Sequence, residues 1–136
     1  MKKIAIIGAG NLGISITEGL IKNKAFNPNQ IIATRNNLNQ IEHLKKLGVM
    51  ITNDNHFAVK EADYILLCVK PYKVEEVLTQ LKDDFTTNKI LISVATGISL
   101  QTYQNILPQG MSIFRAMPNT AAVSYTHLTL PTKRIV

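Results

Sequence analysis

Three glycines near the start of the chain have the spacing of a turn that binds phosphate groups. The apolar run IAII at residues 4–7 breaks abruptly into Gly8, Gly10 and Gly13. The first glycine permits a tight turn, the second lets the backbone approach a pyrophosphate, and the third lets a helix pack closely on the preceding strand. Asn11 and Leu12 open that helix, whose free N–H groups and positive dipole end favour phosphate. The spacing therefore predicts a nucleotide site.

The end of the second predicted strand indicates which nucleotide this site would take. A site for NAD normally carries Asp or Glu there, about 20 residues beyond the glycines, to bind the ribose diol. This chain has Thr34, Arg35 and Asn36 instead. The Arg35 guanidinium can hold a 2′-phosphate through paired, charge-assisted hydrogen bonds. The sequence therefore favours NADP(H) over NAD(H), with a solvated surface arginine as the alternative interpretation.

Hydrophobic periodicity predicts the strands and helices that must position these residues. Strands are predicted at residues 4–7, 30–34, 49–51, 63–69, 89–95 and 111–117. Helices are predicted at residues 11–24, 38–47, 56–60, 74–85 and 100–107. Such alternation indicates right-handed crossovers and an α/β fold with a doubly wound parallel sheet in a single domain. In this architecture a ligand lies beyond the carboxyl ends of the strands, where strand order reverses.

Composition narrows the classes of function. The chain has 136 residues, 46% of them hydrophobic, which fits one globular domain, and no apolar run approaches the roughly 20 residues of a membrane span. Its net charge of +6 is scattered rather than clustered, so neither nucleic acid nor a membrane is expected as a partner. With Cys68 as the lone cysteine and no signal peptide recognised, a reducing, cytoplasmic location is expected. No pattern of metal ligands or of a hydrolytic triad is recognised either.

Four segments, taken in order, resemble the pyrroline-5-carboxylate reductases. They are IIGAGNLG at residues 6–13, AD at 62–63 leading to VKP at 69–71, ISVATGI at 92–98, and RAMPNT at 115–120. Many dehydrogenases share the first segment, whereas the combination of the later segments is specific. One departure is Thr96, which stands where the family often has alanine.

The resemblance implies a Rossmann domain that binds NADPH and delivers hydride to the imine carbon of 1-pyrroline-5-carboxylate, giving L-proline. It implies that the pyrophosphate is held by Gly8, Ala9, Gly10, Asn11, Leu12 and Gly13. It places the adenosine ribose and its phosphate at Thr34, Arg35 and Asn36, with Asn55 along the dinucleotide. The ribose and nicotinamide side would be lined by Val69, Lys70, Pro71, Ala95, Thr96 and Gly97, and the substrate bordered by Asn119 and Thr120. The alternative is that Lys70 and Pro71 only end a strand and that Gly97 only forms a turn.

The resemblance covers residues 1–123 and fails over residues 124–136, which we expect to be foreign to the family. Family members continue into a helical C-terminal domain that supplies dimer contacts and most substrate-orienting groups, including a hydroxyl donor. The catalytic residues are therefore expected outside this chain, which should bind NADPH but reduce little or nothing by itself. Two alternatives remain: another NADP-dependent dehydrogenase, of the β-hydroxyacid or F420-dependent type, or a non-catalytic NADP-binding module.

Overall fold

One parallel sheet forms the centre of the computed structural model, which describes residues 2–116. Within that range the sheet has six strands in the order β3-β2-β1-β4-β5-β6. Strand order therefore reverses between β1 and β4, which confirms the predicted doubly wound α/β fold. The strands are β1 (Ile4–Ile7), β2 (Ile31–Thr34), β3 (Met50–Thr52), β4 (Tyr64–Leu67), β5 (Ile90–Ser93) and β6 (Ser112–Arg115).

Helices cover both faces of this sheet. They are α1 (Asn11–Lys22), α2 (Glu42–Lys46), α3 (Asn55–Glu61), α4 (Val74–Leu81) and α5 (Leu100–Ile106). In β1, Ala5 and Ile7 belong to the hydrophobic core shared with α3, α4 and α5, whereas Ile4 and Ile6 belong to the core shared with α1 and α2. Because both faces are covered, the central strands are continuously apolar rather than alternating.

The predicted helix boundaries were less accurate than the predicted order of elements. The helix expected at 38–47 is a 3₁₀ turn, Leu38–Ile41, followed by the short α2. The helix expected at 74–85 is α4 followed by another 3₁₀ turn, Lys82–Asp84. The first helix ends at Lys22 rather than residue 24, because Lys24 adopts a positive φ of 61°. The spacing of apolar residues does not distinguish a 3₁₀ turn, with i→i+3 hydrogen bonds, from an α-helix, with i→i+4 bonds. The sequence therefore could not predict these differences.

Asn37 and Ser99 are among the polar side chains that cap helical segments. The Asn37 side chain accepts a hydrogen bond from the Asn39 N–H at 3.1 Å, and Ser99 caps α5 by accepting one from the Thr102 N–H at 3.3 Å. None of the helices within residues 2–116 is long and apolar enough to cross a bilayer. The predicted end of the sixth strand at Met117, the domain limit at 123 and the non-family segment 124–136 lie outside the described residues.

Candidate functional site

The three glycines between β1 and α1 have three different structural roles. Gly8 has a φ of +82°, and a Cβ at this position would lie 2.6 Å from Val69 Cγ1. A Cβ on Gly10 would meet nothing within 4 Å, so this position faces open space. A Cβ on Gly13 would lie 3.3 Å from Ile6 Cγ2, at the contact between α1 and β1. The turn thus needs glycine at residue 8 for its backbone conformation and at residue 13 for close packing. The open space beside Gly10, here called the cradle, is left for a ligand.

Thr34, at the end of β2, holds this turn from behind. Its hydroxyl accepts a hydrogen bond from the Gly8 N–H at 3.2 Å, and its carbonyl accepts one from the Ala9 N–H at 2.7 Å. Thr34 is only 1% exposed. The family resemblance implies a ribose contact for Thr34, which lines the second cavity, and its hydroxyl bond to the glycine turn is an additional role that the residue type alone does not reveal.

Arg35 links the glycine turn to the end of β3 through two hydrogen bonds. Its Nη1 donates a hydrogen bond to the Ala9 carbonyl at 3.1 Å, and its backbone N–H donates to the Thr52 carbonyl at 3.3 Å. The guanidinium has five N–H donors, so one bond to Ala9 leaves others for a ligand. Arg35 is half-buried, which limits the number of conformations that its side chain can adopt.

A cleft lies above the carboxyl ends of β1 and β4 and consists of two adjoining cavities. The first cavity has a volume of about 590 Å³ and the second of about 550 Å³. Both are lined by Gly10, Arg35, Cys68, Val69 and Lys70. The first cavity is also lined by Asn11, Leu12, Ser15, Pro71, Val94, Ala95 and Thr96. The second is also lined by Gly8, Thr34, Asn36, Gln40, Asn53, Asn55, Tyr72, Lys73, Glu76, Val77 and Gln80.

The cleft therefore brings together most of the residues that the sequence selected. Ala9 and Gly13 are buried beneath the turn, and Gly97 forms a turn with a φ of +78° without lining either cavity. Asn119 and Thr120 lie outside the described residues. Sequence reasoning missed the contribution of α4 and of Tyr72 and Lys73 in the 3₁₀ turn before it, Pro71–Lys73. Lys73, Glu76 and Gln80 lie three and four residues apart, as on any solvated helix face, so their spacing gave no specific signal.

Charge and backbone polarity in the cleft suit an anionic ligand. Among the residues that line it, Arg35, Lys70 and Lys73 carry positive charge and Glu76 carries negative charge. No side chain caps the N-terminus of α1, and its first turn contains no acidic residue. The positive end of the α1 dipole is thus left for a ligand at the cradle beside Gly10.

Cys68 lies where the two cavities meet. Burial raises the pKa of its thiol to about 12, so the side chain is neutral near pH 7. A neutral thiol is a poor nucleophile, so Cys68 is not suited to act as one near pH 7. Within residues 2–116 no group of three or more His, Cys, Asp or Glu side chains could hold a metal ion.

A buried hydrogen bond fixes the loop after β5, on the far side of the cleft. Ser93 Oγ and Tyr103 Oη lie 2.7 Å apart, and Ser93 Oγ also accepts a hydrogen bond from the Ala95 N–H at 3.3 Å. Arg115 Nη1 donates to the Ile98 carbonyl at 3.3 Å, further along the same loop. Burial raises the pKa of Tyr103, against a smaller lowering by its bond to Ser93 and by the Arg115 charge. Ala95 and Thr96 are therefore held at the cleft wall by the core beneath them.

The strand order, the glycine turn at the point where it reverses and the cleft above them define a dinucleotide-binding domain of the Rossmann type. Comparison with known proteins agrees with this class. Residues 3–97 match the family model described as NADP oxidoreductase, coenzyme F420-dependent, and the chain belongs to that family.

Similar proteins carry the name that the sequence motifs predicted. The chain is 42% identical over 118 residues to pyrroline-5-carboxylate reductase 1 of Dictyostelium discoideum, covering 87% of this chain and 21% of the relative. It is 38% identical over 122 residues to pyrroline-5-carboxylate reductase of Methanosarcina acetivorans, covering 89% of this chain and 45% of the relative. A solved pyrroline-5-carboxylate reductase from Coxiella burnetii superposes with a TM-score of 0.84 at 36% identity, covering 91% of this chain and 46% of that chain. The predicted resemblance is confirmed, and the chain spans less than half the length of these relatives.

Proposed function

We propose that this chain is the NADPH-binding part of a pyrroline-5-carboxylate reductase, which reduces 1-pyrroline-5-carboxylate to L-proline. The observation that carries the proposal is the cradle beside Gly10, open to the cleft and flanked by the N-terminus of α1 and by Arg35. When bound, NADPH would supply the hydride for the imine carbon. Support for this substrate comes from the relatives named pyrroline-5-carboxylate reductase.

The cleft residues divide into two groups under this proposal. Gly10, Asn11 and Leu12 would hold the pyrophosphate through backbone N–H groups, and Arg35 and Asn36 would bind the adenosine ribose with its 2′-phosphate. Asn55, at the start of α3, would lie along the dinucleotide. On the other side of β1, the nicotinamide half would be bordered by Val69, Lys70, Pro71, Ala95 and Thr96, with Gly97 shaping the turn and Asn119 and Thr120 nearer the substrate.

The partners proposed for the whole enzyme follow from the family resemblance. A helical domain would supply the dimer contacts and the hydroxyl donor that orients the imino acid, and the enzyme would act in the cytoplasm. Reduction requires the imine carbon to be held in line with the hydride donor. We therefore propose that these 136 residues bind the cofactor but form little or no proline. Proline formation by this chain alone would refute that part of the proposal.

A second candidate is supported by the description of the matched family model, which names an F420-dependent NADP oxidoreductase. The model ends at residue 97, before the RAMPNT segment that begins at Arg115. That segment favours the first candidate, a pyrroline-5-carboxylate reductase. A full-length version that reduced F420 with NADPH, but not 1-pyrroline-5-carboxylate, would favour the second candidate, and nucleotide binding without either turnover would favour a non-catalytic module.

Substitution of Arg35 by alanine tests the proposed cofactor. We expect Arg35→Ala to weaken NADPH binding by about 1–3 kcal/mol, roughly 5- to 150-fold, because a charge-assisted contact to the 2′-phosphate is lost. The measurement is a fluorescence titration of the purified chain with NADPH and with NADH. NADH serves as the internal control, since any damage to the glycine turn through the lost bond to Ala9 weakens both nucleotides. Equal NADPH affinity in the variant and the wild type would refute the assignment.

A further inference from the structure

The second cavity of the cleft has a wall that no motif in the sequence explains. Strand β1 lies between β2 and β4, so the loops that follow β2 and β4 stand on either side of the glycine turn. Arg35 and Asn36 line the cavity from the β2 side. Lys73 and Glu76 line it from the β4 side, at the start of α4. A phosphate bound by Arg35 would therefore share its cavity with two lysines, Lys70 and Lys73, and one carboxylate. Lys70 also lines the first cavity, on the nicotinamide side of the proposed site, whereas Lys73 lines only the second cavity.

Lys73 stands on a fixed piece of backbone. Its N–H donates a hydrogen bond to the Lys70 carbonyl at 2.8 Å, closing the 3₁₀ turn that begins at Pro71. The next residue, Val74, is fully buried and anchors α4 in the core. The Lys73 side chain itself is 51% exposed, and its Nζ lies 3.7 Å from Glu76 Oε2. An exposed pair of this kind is weak, so the ammonium group can exchange its partner at little cost.

Resting on the NADPH-binding function proposed above, we propose that Lys73 is a second cation for the adenosine 2′-phosphate and that Glu76 limits the preference for NADPH over NADH. A phosphate monoester carries close to two negative charges near neutral pH, which is more than one guanidinium neutralises. Glu76 holds Lys73 in the free protein and repels the incoming phosphate. NADH brings no 2′-phosphate, so neither side chain affects its binding strongly. Lys73 thus strengthens the binding of NADPH, and Glu76 weakens it.

The test is a pair of charge-removing variants with a matched control. Lys73→Gln is expected to weaken NADPH binding about tenfold and to change NADH binding less than about twofold. Glu76→Gln is expected to tighten NADPH binding about threefold with NADH unchanged. Lys82→Gln is the control, because Lys82 is exposed at the far end of α4 and lines neither cavity. All three are compared with the wild-type chain by fluorescence titration at one ionic strength, with melting temperatures to verify folding.

The outcomes separate this inference from the proposed function. If Lys73→Gln binds NADPH as tightly as the wild type does, or weakens both nucleotides equally, Lys73 does not bind the 2′-phosphate, while a selective loss in Arg35→Ala would still support the NADPH site. If Glu76→Gln weakens NADH, the carboxylate binds the ribose diol and the role given to Glu76 is wrong. If the wild-type chain binds neither nucleotide, both proposals fail.

Discussion

Replacing Gly8 and Gly10 separately by alanine should divide the glycine turn into a position needed for folding and a position needed for binding. At Gly8, the φ of +82° costs an alanine about 1–2 kcal/mol. The added methyl would also lie 2.6 Å from Val69 Cγ1, so Val69 must leave its rotamer or shift, at about 1–2 kcal/mol more. The lower entropy of the unfolded alanine chain offsets about 0.5 kcal/mol. We expect Gly8→Ala to lose about 2–3 kcal/mol of stability, a drop of about 10 °C in melting temperature.

Gly10→Ala should show the opposite pattern. The backbone there has a φ of −81°, which any residue adopts, and the methyl would meet nothing within 4 Å. Stability should therefore change by less than about 1 kcal/mol. Nucleotide binding should weaken more than about tenfold, because the methyl occupies the space through which a pyrophosphate approaches the backbone.

Urea and thermal unfolding followed by circular dichroism, with NADPH titration on the same samples, would measure both effects. The reasoning fails if Gly8→Ala melts with the wild type, or if Gly10→Ala is destabilised as much as Gly8→Ala. If a folded Gly10→Ala variant binds NADPH as tightly as the wild type does, the space beside Gly10 does not bind the pyrophosphate.

Two further predictions concern the half-buried Cys68, where the two cavities meet, and the buried pair of Ser93 and Tyr103. Because the folded pKa of Cys68, about 12, lies above its ordinary value of 9.0, its contribution to stability is complete below pH 9 and is lost as the pH rises from 9 towards 12. Urea unfolding between about pH 8 and pH 11 should therefore show a smaller alkaline loss for Cys68→Ala than for the wild type, and identical slopes would contradict this. Ser93→Ala should cost about 1–3 kcal/mol, because it leaves the buried Tyr103 hydroxyl without its partner. Adding Tyr103→Phe should recover part of that loss in denaturant titrations, and a fully additive double variant would refute the pairing.

The order of the elements and the glycine turn were predictable because each depends on local sequence. Gly8, Gly10 and Gly13 follow a buried strand and precede a helix, and this spacing fixes both the turn and its position in the fold. Parallel strands covered on both faces also leave continuous apolar runs that are easy to recognise. The sequence therefore placed the loops that follow β1, β2, β4 and β5 where the structure has them.

The rest of the cleft depends on contacts between segments that are distant in sequence. Thr34 looks like any strand-end threonine until β2 pairs with β1 and brings its hydroxyl to the Gly8 N–H. Lys73 and Glu76 have the residue types of any solvated helix face, and only the position of α4 beside the switch point brings them to the cavity. Their part in the site could not be read from spacing alone.

The pairing of β1 with β4 has a consequence for the order in which the site assembles. Ile4 pairs with Tyr64, and the Lys3 N–H donates a hydrogen bond to the Asp63 carboxylate across 60 residues of chain. Val69, which contacts the glycine turn, comes later still in the sequence. During synthesis on the ribosome, the turn would therefore leave the exit tunnel well before β4 and β5, whose loops complete the cleft. A nascent chain that has released only β1 and β2 carries the glycine turn without the cleft walls, so it can retain a nucleotide only after β4 and β5 have joined the sheet.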